Sequence, residues 1–256
     1  MLAAKKRFGQ NFLHDVQVID RIVSAIAPQA DDTVVEIGPG RGALTYPLLQ
    51  FAQKLTAIEI DRDLIAHLQR QAPRYGALTL HEGDALDFDF ATLITGSQHK
   101  LRLVGNLPYN ISTPLLFHLL TFAPHIQDMH FMLQKEVVER LCAEPNSKDY
   151  GRLTVSMAAH CDAQMLFTLG PEAFTPAPKV DSAIVRLVPR TPDFVINNPQ
   201  RFDLVVKTAF AQRRKMLGKA LETIIDRKAW SAIGIDATRR AETLSPAEFA
   251  VIANAT

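Results

Sequence analysis

Residues Thr33–Gly42 have the sequence Thr-Val-Val-Glu-Ile-Gly-Pro-Gly-Arg-Gly. The first five are mostly β-branched or apolar, which predicts a buried strand. The glycines that follow allow the backbone to approach a ligand closely. A strand that ends in such a loop is typical of open α/β sheets that bind nucleotides. The ligand stays open at this point, because Gly38, Gly40 and Ala43 also satisfy the dinucleotide pattern G-x-G-x-x-G/A.

Strand and helix patterns alternate from residue 33 to residue 134, which predicts a parallel sheet with helices on both faces. Further strands are predicted at Leu55–Ile60, Leu78–Leu80, Leu101–Val104, Met129–Leu133 and Ala183–Val188. Helices are predicted at Val16–Ala27, Ala43–Phe51, Arg62–Gln71 and Thr113–Phe122. Prolines at 189, 192 and 199 mark a boundary, and the remainder has a helical pattern. We therefore expect two domains, 1–189 and 190–256.

Composition and charge limit the possible functions. The chain has 256 residues, 47% of them hydrophobic, and only two cysteines. No metal-binding spacing is evident, and no apolar run reaches the roughly 18 residues that span a membrane. The net charge of +1 conceals an acidic segment at 31–100 and a basic segment at 199–230. This asymmetry favours a polyanionic partner, although a solvated charged face would have the same composition.

Two carboxylates follow predicted strands and are candidate cofactor ligands. Glu59 precedes Ile60 at the end of the second strand, and Asp84 precedes Ala85 at the end of the third. A carboxylate at Glu59 can accept both ribose hydroxyls of NAD or of S-adenosylmethionine, and Asp84 can accept from an adenine amine. Either one alone could instead be a helix N-cap or a surface acid.

The tetrad Asn106-Leu107-Pro108-Tyr109 follows the predicted strand Leu101–Val104. It supplies an amide, rigid backbone carbonyls and an aromatic ring, which suit a planar base with an exocyclic amine. It resembles the Asn/Asp-Pro-Pro-Tyr box of amino-methyltransferases that act on adenine. The alternative is a proline-stiffened turn with a buried tyrosine. The tetrad favours methyl transfer over hydride transfer, as does a helix before the first strand.

The chain as a whole resembles the ribosomal RNA adenine dimethyltransferases. The matching motifs are Arg7–Leu13, the glycine loop, Glu59, Gly83–Ala85, Gly105–Ser112, Met132–Val137, Phe174–Ala183 and Gln212–Lys215. The resemblance implies a Rossmann-like sheet that uses S-adenosylmethionine, with a small all-helical C-terminal domain that binds RNA or the ribosome. It also implies that Gln10, Asn11 and Leu13 close over the cofactor.

The implied substrate is a pair of adjacent adenosines in a hairpin loop near the 3′ end of 16S ribosomal RNA, each methylated twice at N6. Leu107 agrees with this branch, since related antibiotic-resistance methylases that act on large-subunit RNA more often have Ile there. The resemblance further implies a cytoplasmic monomer, without metal or membrane, that takes part in small-subunit biogenesis.

The expected mechanism uses position rather than a general base. Asn106 Oδ1 and the carbonyl of Leu107, the residue before Pro108, would accept the two hydrogens of the adenine N6 amine. The N6 lone pair would then point at the methyl group of S-adenosylmethionine. Tyr109 would stack on one face of the extruded base and Phe174 on the other, with ordinary core packing as the alternative for Phe174.

Basic residues are the candidate contacts to RNA phosphates. They are Lys5, Lys6, Arg7, Lys179, Arg213, Arg214 and Lys215. Two alternatives from other classes stay open: an NAD-dependent oxidoreductase, and a non-catalytic RNA-binding assembly factor with a methyltransferase fold.

Overall fold

The computed structural model describes residues 4–94 and 99–256, and of Lys6 only the backbone. The strands are β1 (Phe12–Leu13), β2 (Thr33–Ile37), β3 (Lys54–Glu59), β4 (Ala77–Glu82), β5 (Leu101–Asn106), β6 (Ile126–Gln134), β7 (Cys161–Leu169), β8 (Phe174–Thr175) and β9 (Ser182–Pro189). The α-helices are α1 (Val16–Ile26), α2 (Thr45–Ala52), α3 (Arg62–Gln71), α4 (Ser112–Leu120), α5 (Lys135–Leu141), α6 (Arg152–Ala158), α7 (Pro199–Ala211), α8 (Leu217–Ala220), α9 (Ala229–Ile233) and α10 (Pro246–Asn254).

Seven strands form one sheet in the order β4-β3-β2-β5-β6-β9-β7. The pairs from β4 to β6 are parallel, with Val35 of β2 opposite Thr56 of β3 and Leu103 of β5. The predicted Rossmann-like α/β fold is confirmed. The predicted parallel arrangement is confirmed for the strands between residues 33 and 134. Strand β9, for which no direction was predicted, runs antiparallel to β6, with Phe131 opposite Val185. The carboxyl ends of β2, β3, β4 and β5 meet at one edge, where open sheets bind ligands.

Helix α1 shows why the periodic segments fold as predicted. Its apolar residues at helical spacing, Ile19, Ile22, Val23 and Ile26, are all buried. Asp15 begins the helix, since its carboxylate accepts hydrogen bonds from the backbone N–H groups of residues 17 and 18. The helix ends one residue earlier than predicted, because Ala27 takes a left-handed conformation with φ of 47°.

A glycine at 105 allows β5 to lie close to β2 at the ligand-binding edge. A Cβ on Gly105 would lie 2.4 Å from the Ile37 carbonyl oxygen. Such a contact is far below van der Waals distance, so any larger residue would push the two strand ends apart. The close approach places Asn106, the last residue of β5, next to the glycine loop.

Arg102 lies inside the sheet although the surrounding strand is apolar. It is 7% exposed. Its guanidinium donates to Asp128 at 2.9 Å, to Asp32 at 2.6 Å and to the Ile26 carbonyl at 2.7 Å. A buried cation is tolerated when it is paired and hydrogen-bonded in this way. These bonds tie β5 to β6 and to the C-terminal end of α1.

The chain forms two compact units. The first contains the residues up to Val138 together with Gln164–Pro189, and the second contains Glu139–Ala163 together with Arg190–Thr256. The expected division at 189/190 therefore leaves out one segment, since Glu139–Ala163 packs with the C-terminal helices. Its Tyr150 hydroxyl donates to the Leu244 carbonyl at 2.7 Å, inside the core of the second unit. Over the described residues, no helix has the length and apolar character needed to cross a membrane.

Candidate active site

A cavity of about 970 Å³, including its open mouth, lies at the carboxyl edge of the sheet in the first unit. The structure brings most of the predicted site residues together around it. Those that line the cavity are Gln10, Asn11, Leu13, Gly38, Gly40, Glu59, Ile60, Asp84, Ala85, Asn106, Leu107, Pro108 and Tyr109.

The glycine loop forms one wall of the cavity. Gly38 and Gly40 have φ of +68° and +57°, a left-handed conformation that side chains disfavour. A Cβ added to Gly38 would meet no atom within 4 Å. The space beside Gly38 is therefore open to a ligand, and the loop turns there without a side chain in the way.

Glu59 is 5% exposed and its carboxylate is held by the backbone. Oε1 accepts from the N–H groups of Ile60 at 3.0 Å and Asp61 at 2.9 Å, and Oε2 accepts from Gly40 at 3.2 Å. Burial raises the pKa of Glu59, while these hydrogen bonds oppose the shift. The N-cap of α3 is Asp61, whose carboxylate accepts from the Asp63 N–H. This excludes the N-cap alternative for Glu59.

Asp84 has a structural role as well as its place in the cavity wall. Its Oδ1 accepts from the Leu86 N–H at 3.0 Å and so closes the turn after β4. No donor among residues 4–94 and 99–256 reaches its Oδ2. Ala85 is 7% exposed. The turn thus holds Asp84 in place and leaves one carboxylate oxygen able to accept from a ligand.

Glu36 is a site residue that the sequence analysis did not single out. It lines the cavity, is 2% exposed and accepts a hydrogen bond of 2.6 Å from Thr45 Oγ1. Burial raises its pKa to about 8, while the Thr45 hydrogen bond opposes the shift and the Glu59 charge adds to it. The available signal was a lone acid in an apolar strand directly before the glycine loop.

Asn106 is oriented by the N-terminal segment. Its Nδ2 donates to the Asn11 carbonyl at 2.8 Å. Because a carbonyl oxygen only accepts, this contact fixes which end of the amide carries the NH₂ group. Across the described part of the chain, no donor reaches Asn106 Oδ1. The amide oxygen is therefore able to accept a hydrogen bond from a ligand.

The backbone of the tetrad leaves a second acceptor. The Leu107 N–H donates to the Met132 carbonyl at 3.2 Å, and the Pro108 carbonyl accepts from Ile111 at 3.1 Å. No N–H of the described residues donates to the Leu107 carbonyl. Oδ1 of Asn106 and the carbonyl of Leu107 thus form a pair of acceptors on adjacent residues in the cavity wall.

Tyr109 is half-buried and lines the same cavity. Its hydroxyl lies 2.7 Å from Ser182 Oγ, at the start of β9. Burial raises the pKa of Tyr109, so the hydroxyl is neutral and able to take part in that hydrogen bond as a donor. The contact holds the ring from its polar end and restricts its rotation.

The structure does not place Phe174, the predicted second stacking residue, in the cavity wall. This side chain is 3% exposed, does not line the cavity and belongs to the hydrophobic core that contains Leu13 and Ile184. The physical reason is the pairing of β1 with β8, which places Phe174 opposite Leu13. Phe174 thus packs in the core of this structure, in agreement with the alternative, and its stacking role stays a prediction.

The candidate RNA contacts of the first unit are only partly available. Arg7 and Lys179 are exposed, whereas the side chain of Lys6 lies outside the described residues. Lys5, also expected to meet phosphate, is paired with carboxylates in this structure. Its Nζ donates to Asp61 at 2.6 Å and to Asp63 at 2.7 Å, so its charge is already paired within the chain.

The candidate contacts of the second unit divide in the same way. Arg214 and Lys215 are exposed. Arg213 instead donates to Glu242 at 2.7 Å and to the Lys148 carbonyl at 2.8 Å. Arg213 thus joins separate segments of its own unit, and its guanidinium would have to leave these partners to bind phosphate.

Comparison with known proteins agrees with this geometry. A family model described as ribosomal RNA adenine dimethylase matches residues 1–256. The chain is 55% identical to ribosomal RNA small subunit methyltransferase A of Chromohalobacter salexigens, covering 98% of this chain and 90% of that protein. It is 52% identical to the protein of the same name from Coxiella burnetii, covering 98% and 96%.

Two solved structures are similar over most of their length. One is a dimethyladenosine transferase from Plasmodium falciparum, with a TM-score of 0.78, 26% identity and coverage of 94% of this chain and 95% of that one. The other is the 23S rRNA methyltransferase ErmE, with a TM-score of 0.73, 26% identity and coverage of 96% and 99%. Sequence and structure together show that the chain belongs to the ribosomal RNA adenine dimethylase family.

Proposed function

We propose that this chain transfers methyl groups from S-adenosylmethionine to N6 of two adjacent adenosines in a hairpin loop near the 3′ end of 16S ribosomal RNA. One observation carries the proposal. The Asn106 amide nitrogen is committed to the Asn11 carbonyl, which leaves Asn106 Oδ1 and the Leu107 carbonyl as acceptors beside the Tyr109 ring. Two acceptors and an aromatic face match a planar base whose amine has two hydrogens.

The residues of the cavity fit the proposed cofactor. Glu59, with its carboxylate fixed by three backbone N–H groups, would accept the ribose hydroxyls. Asp84 would accept from the cofactor adenine amine, and the open space beside Gly38 admits the chain that carries the sulfonium. Gln10, Asn11 and Leu13 would cover it. When bound, S-adenosylmethionine supplies an electrophilic methyl group.

The chain contributes to the reaction by positioning the amine. The N6 lone pair of adenine is delocalised into the ring, so the amine is a weak nucleophile. When Asn106 Oδ1 and the Leu107 carbonyl accept its hydrogens, the nitrogen is drawn toward tetrahedral geometry and its lone pair is aimed. Tyr109 holds the extruded base by stacking. The methylated ammonium is acidic and loses its proton to solvent, so no general base is needed.

The choice of small-subunit RNA follows from the degree of similarity. The relatives that are 51–55% identical are all named as small-subunit methyltransferases, whereas the 23S enzyme ErmE is 26% identical. Exposed Arg7, Lys179, Arg214 and Lys215 would meet RNA phosphates. We expect the protein to act as a cytoplasmic monomer on the small subunit or its precursor, during subunit assembly.

The test is transfer of tritiated methyl from S-adenosylmethionine to purified ribosomal subunits that lack the modification. We expect label on small subunits and none on large subunits, and calorimetry should detect binding of S-adenosylhomocysteine but not of NADH. Label on large subunits alone would refute the choice of RNA. Binding of NADH without methyl transfer would instead support the oxidoreductase alternative.

A further inference from the structure

The N-terminal segment Lys5–Leu13, which we call the strap, runs between two strand ends at the cavity. Six of its residues, Phe8 to Leu13, line the cavity. Near the carboxyl end of β5, the Asn11 carbonyl accepts from Asn106 Nδ2 at 2.8 Å. Beyond it, Phe12 and Leu13 pair with β8. The second half of the strap is thus fixed to the catalytic tetrad and to the small two-stranded sheet.

The first half of the strap is fixed by one carboxylate at the end of β3. Asp61 Oδ1 accepts from Lys5 Nζ at 2.6 Å, and Oδ2 accepts from Gln10 Nε2 at 3.2 Å. Gln10 Oε1 in turn accepts from the backbone N–H of Lys5 at 2.8 Å. Lys5, Gln10 and Asp61 therefore form a closed ring of hydrogen bonds, and Asp63 adds a second, exposed carboxylate to Lys5.

Asp61 is well placed to hold such a ring. Its side chain is 3% exposed, so solvent screens its contacts weakly. Burial alone would raise the pKa of Asp61, but the hydrogen bonds from Lys5 and Gln10 hold it below its ordinary value, and the group is ionised. The Asp61 backbone N–H also donates to Glu59 Oε1 at 2.9 Å. The same residue thus contacts both the strap and Glu59, which we propose to bind the ribose.

We infer that Asp61 is a positioning residue that holds the strap closed over the cofactor and, through Asn11, keeps the Asn106 amide in its orientation. This inference rests on the proposed cofactor site. It assigns Lys5 to the strap and not to RNA. Since the strap covers the cavity, its opening limits cofactor release, and weakening the Lys5–Asp61 contact should accelerate release more than it slows entry.

The test uses S-adenosylhomocysteine as the probe and follows its release by stopped-flow displacement. Asp61→Asn keeps a good N-cap for α3 and removes the charge that Lys5 binds. Lys5→Met removes the other partner at a half-exposed position. We expect each variant to release the probe about tenfold faster, the order expected for one charge-assisted hydrogen bond, with the association rate within about twofold. The double variant should resemble either single one, because all three lose the same contact.

Glu82→Gln is the matched control. It removes the exposed ion pair with Arg62 at the end of β4, and within the described residues neither Arg62 nor Glu82 has a hydrogen bond or ion pair to the strap. Release from this variant should stay within about twofold of wild type. In single-turnover methylation at saturating cofactor, Asp61→Asn should also be slower than Glu82→Gln, because the strap whose Asn11 carbonyl orients the Asn106 amide is held less firmly.

The inference is overturned if Lys5→Met and Asp61→Asn release the probe at the wild-type rate, or if only Asp61→Asn changes it. We expect Lys5→Met to fold even if Asp61→Asn does not, because the Lys5 side chain is partly exposed and caps no helix. The Lys5 variant therefore separates loss of the contact from misfolding. If wild type binds no S-adenosylhomocysteine at all, the proposed cofactor site fails instead. If wild type transfers methyl normally and the variants release S-adenosylhomocysteine at the wild-type rate, only the inference about the strap is refuted and the proposed function stands.

Discussion

Replacing Asn106 by alanine removes the amide that we place against the target amine. The variant loses Oδ1, which accepts from N6, and Nδ2, which donates to the Asn11 carbonyl. The accepted hydrogen belongs to an amine that becomes positively charged during transfer. A hydrogen bond of that kind contributes about 1.5–3 kcal/mol.

The expected loss of rate follows from this magnitude. Because about 1.4 kcal/mol corresponds to a tenfold change in rate, Asn106→Ala should slow transfer by roughly 10- to 150-fold. RNA affinity should stay near wild type, since phosphate contacts dominate it and Asn106 makes none here. Cofactor affinity should fall modestly, because the strap loses one anchor.

The assay is single-turnover methylation at saturating RNA and cofactor, which separates the chemical step from both binding steps. Asn110→Ala is the matched control, because Asn110 lies in the same loop and is exposed. It should transfer methyl within about twofold of wild type. If Asn106→Ala also reacts at the wild-type rate, the positioning mechanism is wrong.

Four further predictions address other parts of the site. Glu59→Ala should weaken S-adenosylhomocysteine binding by about 1.5–3 kcal/mol in calorimetry; unchanged affinity in the folded variant would remove Glu59 from the site. Tyr109→Phe should keep activity within about tenfold, because the ring face survives, whereas Tyr109→Ala should lose roughly 1–3 kcal/mol of stacking and turn over far more slowly. If Tyr109→Phe and Tyr109→Ala lose the same amount of activity, the hydroxyl and not the ring carries the function of Tyr109. Burial raises the folded-state pKa of Glu36 from 4.5 to about 8, so the folded protein keeps a proton that the unfolded chain releases between those pH values. The free energy of unfolding should therefore fall as pH rises through this window, by up to about 1.4 kcal/mol per pH unit, and urea titrations should show that Glu36→Gln lacks this part of the slope. Replacing Arg214 and Lys215 by glutamine should weaken RNA binding and flatten its dependence on salt, without effect on cofactor binding, and an unaltered slope would make them a solvated face.

Strands β2, β3 and β5 were predictable because each is a short run of mostly apolar or β-branched residues. Strand β7 was missed, since Cys161–Leu169 is half-exposed along much of its length and lacks β-branched residues apart from one threonine. Helices α5 and α6 were missed as well. The direction of β9 was not predicted either, because an apolar run does not show which strand it pairs with or whether that pairing is parallel.

The residues of the cavity wall were predictable because they follow the ends of predicted strands. The ion pairs formed by basic residues were not predictable. Lys5 and Arg213 belong to basic clusters in the sequence, but each meets carboxylates that are distant along the chain. Phe174 lies in a motif of the family, yet its strand turns it into the core. Glu36 was overlooked because its partner, Thr45, becomes a neighbour only when the glycine loop folds back. These contacts depend on tertiary structure and leave no periodic signal.

The most direct test of the central claim is nucleoside analysis of the product RNA. Small subunits that lack the modification are incubated with the protein and S-adenosylmethionine, and their 16S RNA is digested and examined by mass spectrometry. We predict N6,N6-dimethyladenosine at two adjacent positions of one hairpin loop near the 3′ end, formed roughly 10- to 150-fold more slowly by Asn106→Ala in single-turnover reactions. Methylation at another base, at another atom of adenine or in large-subunit RNA would contradict the proposed function.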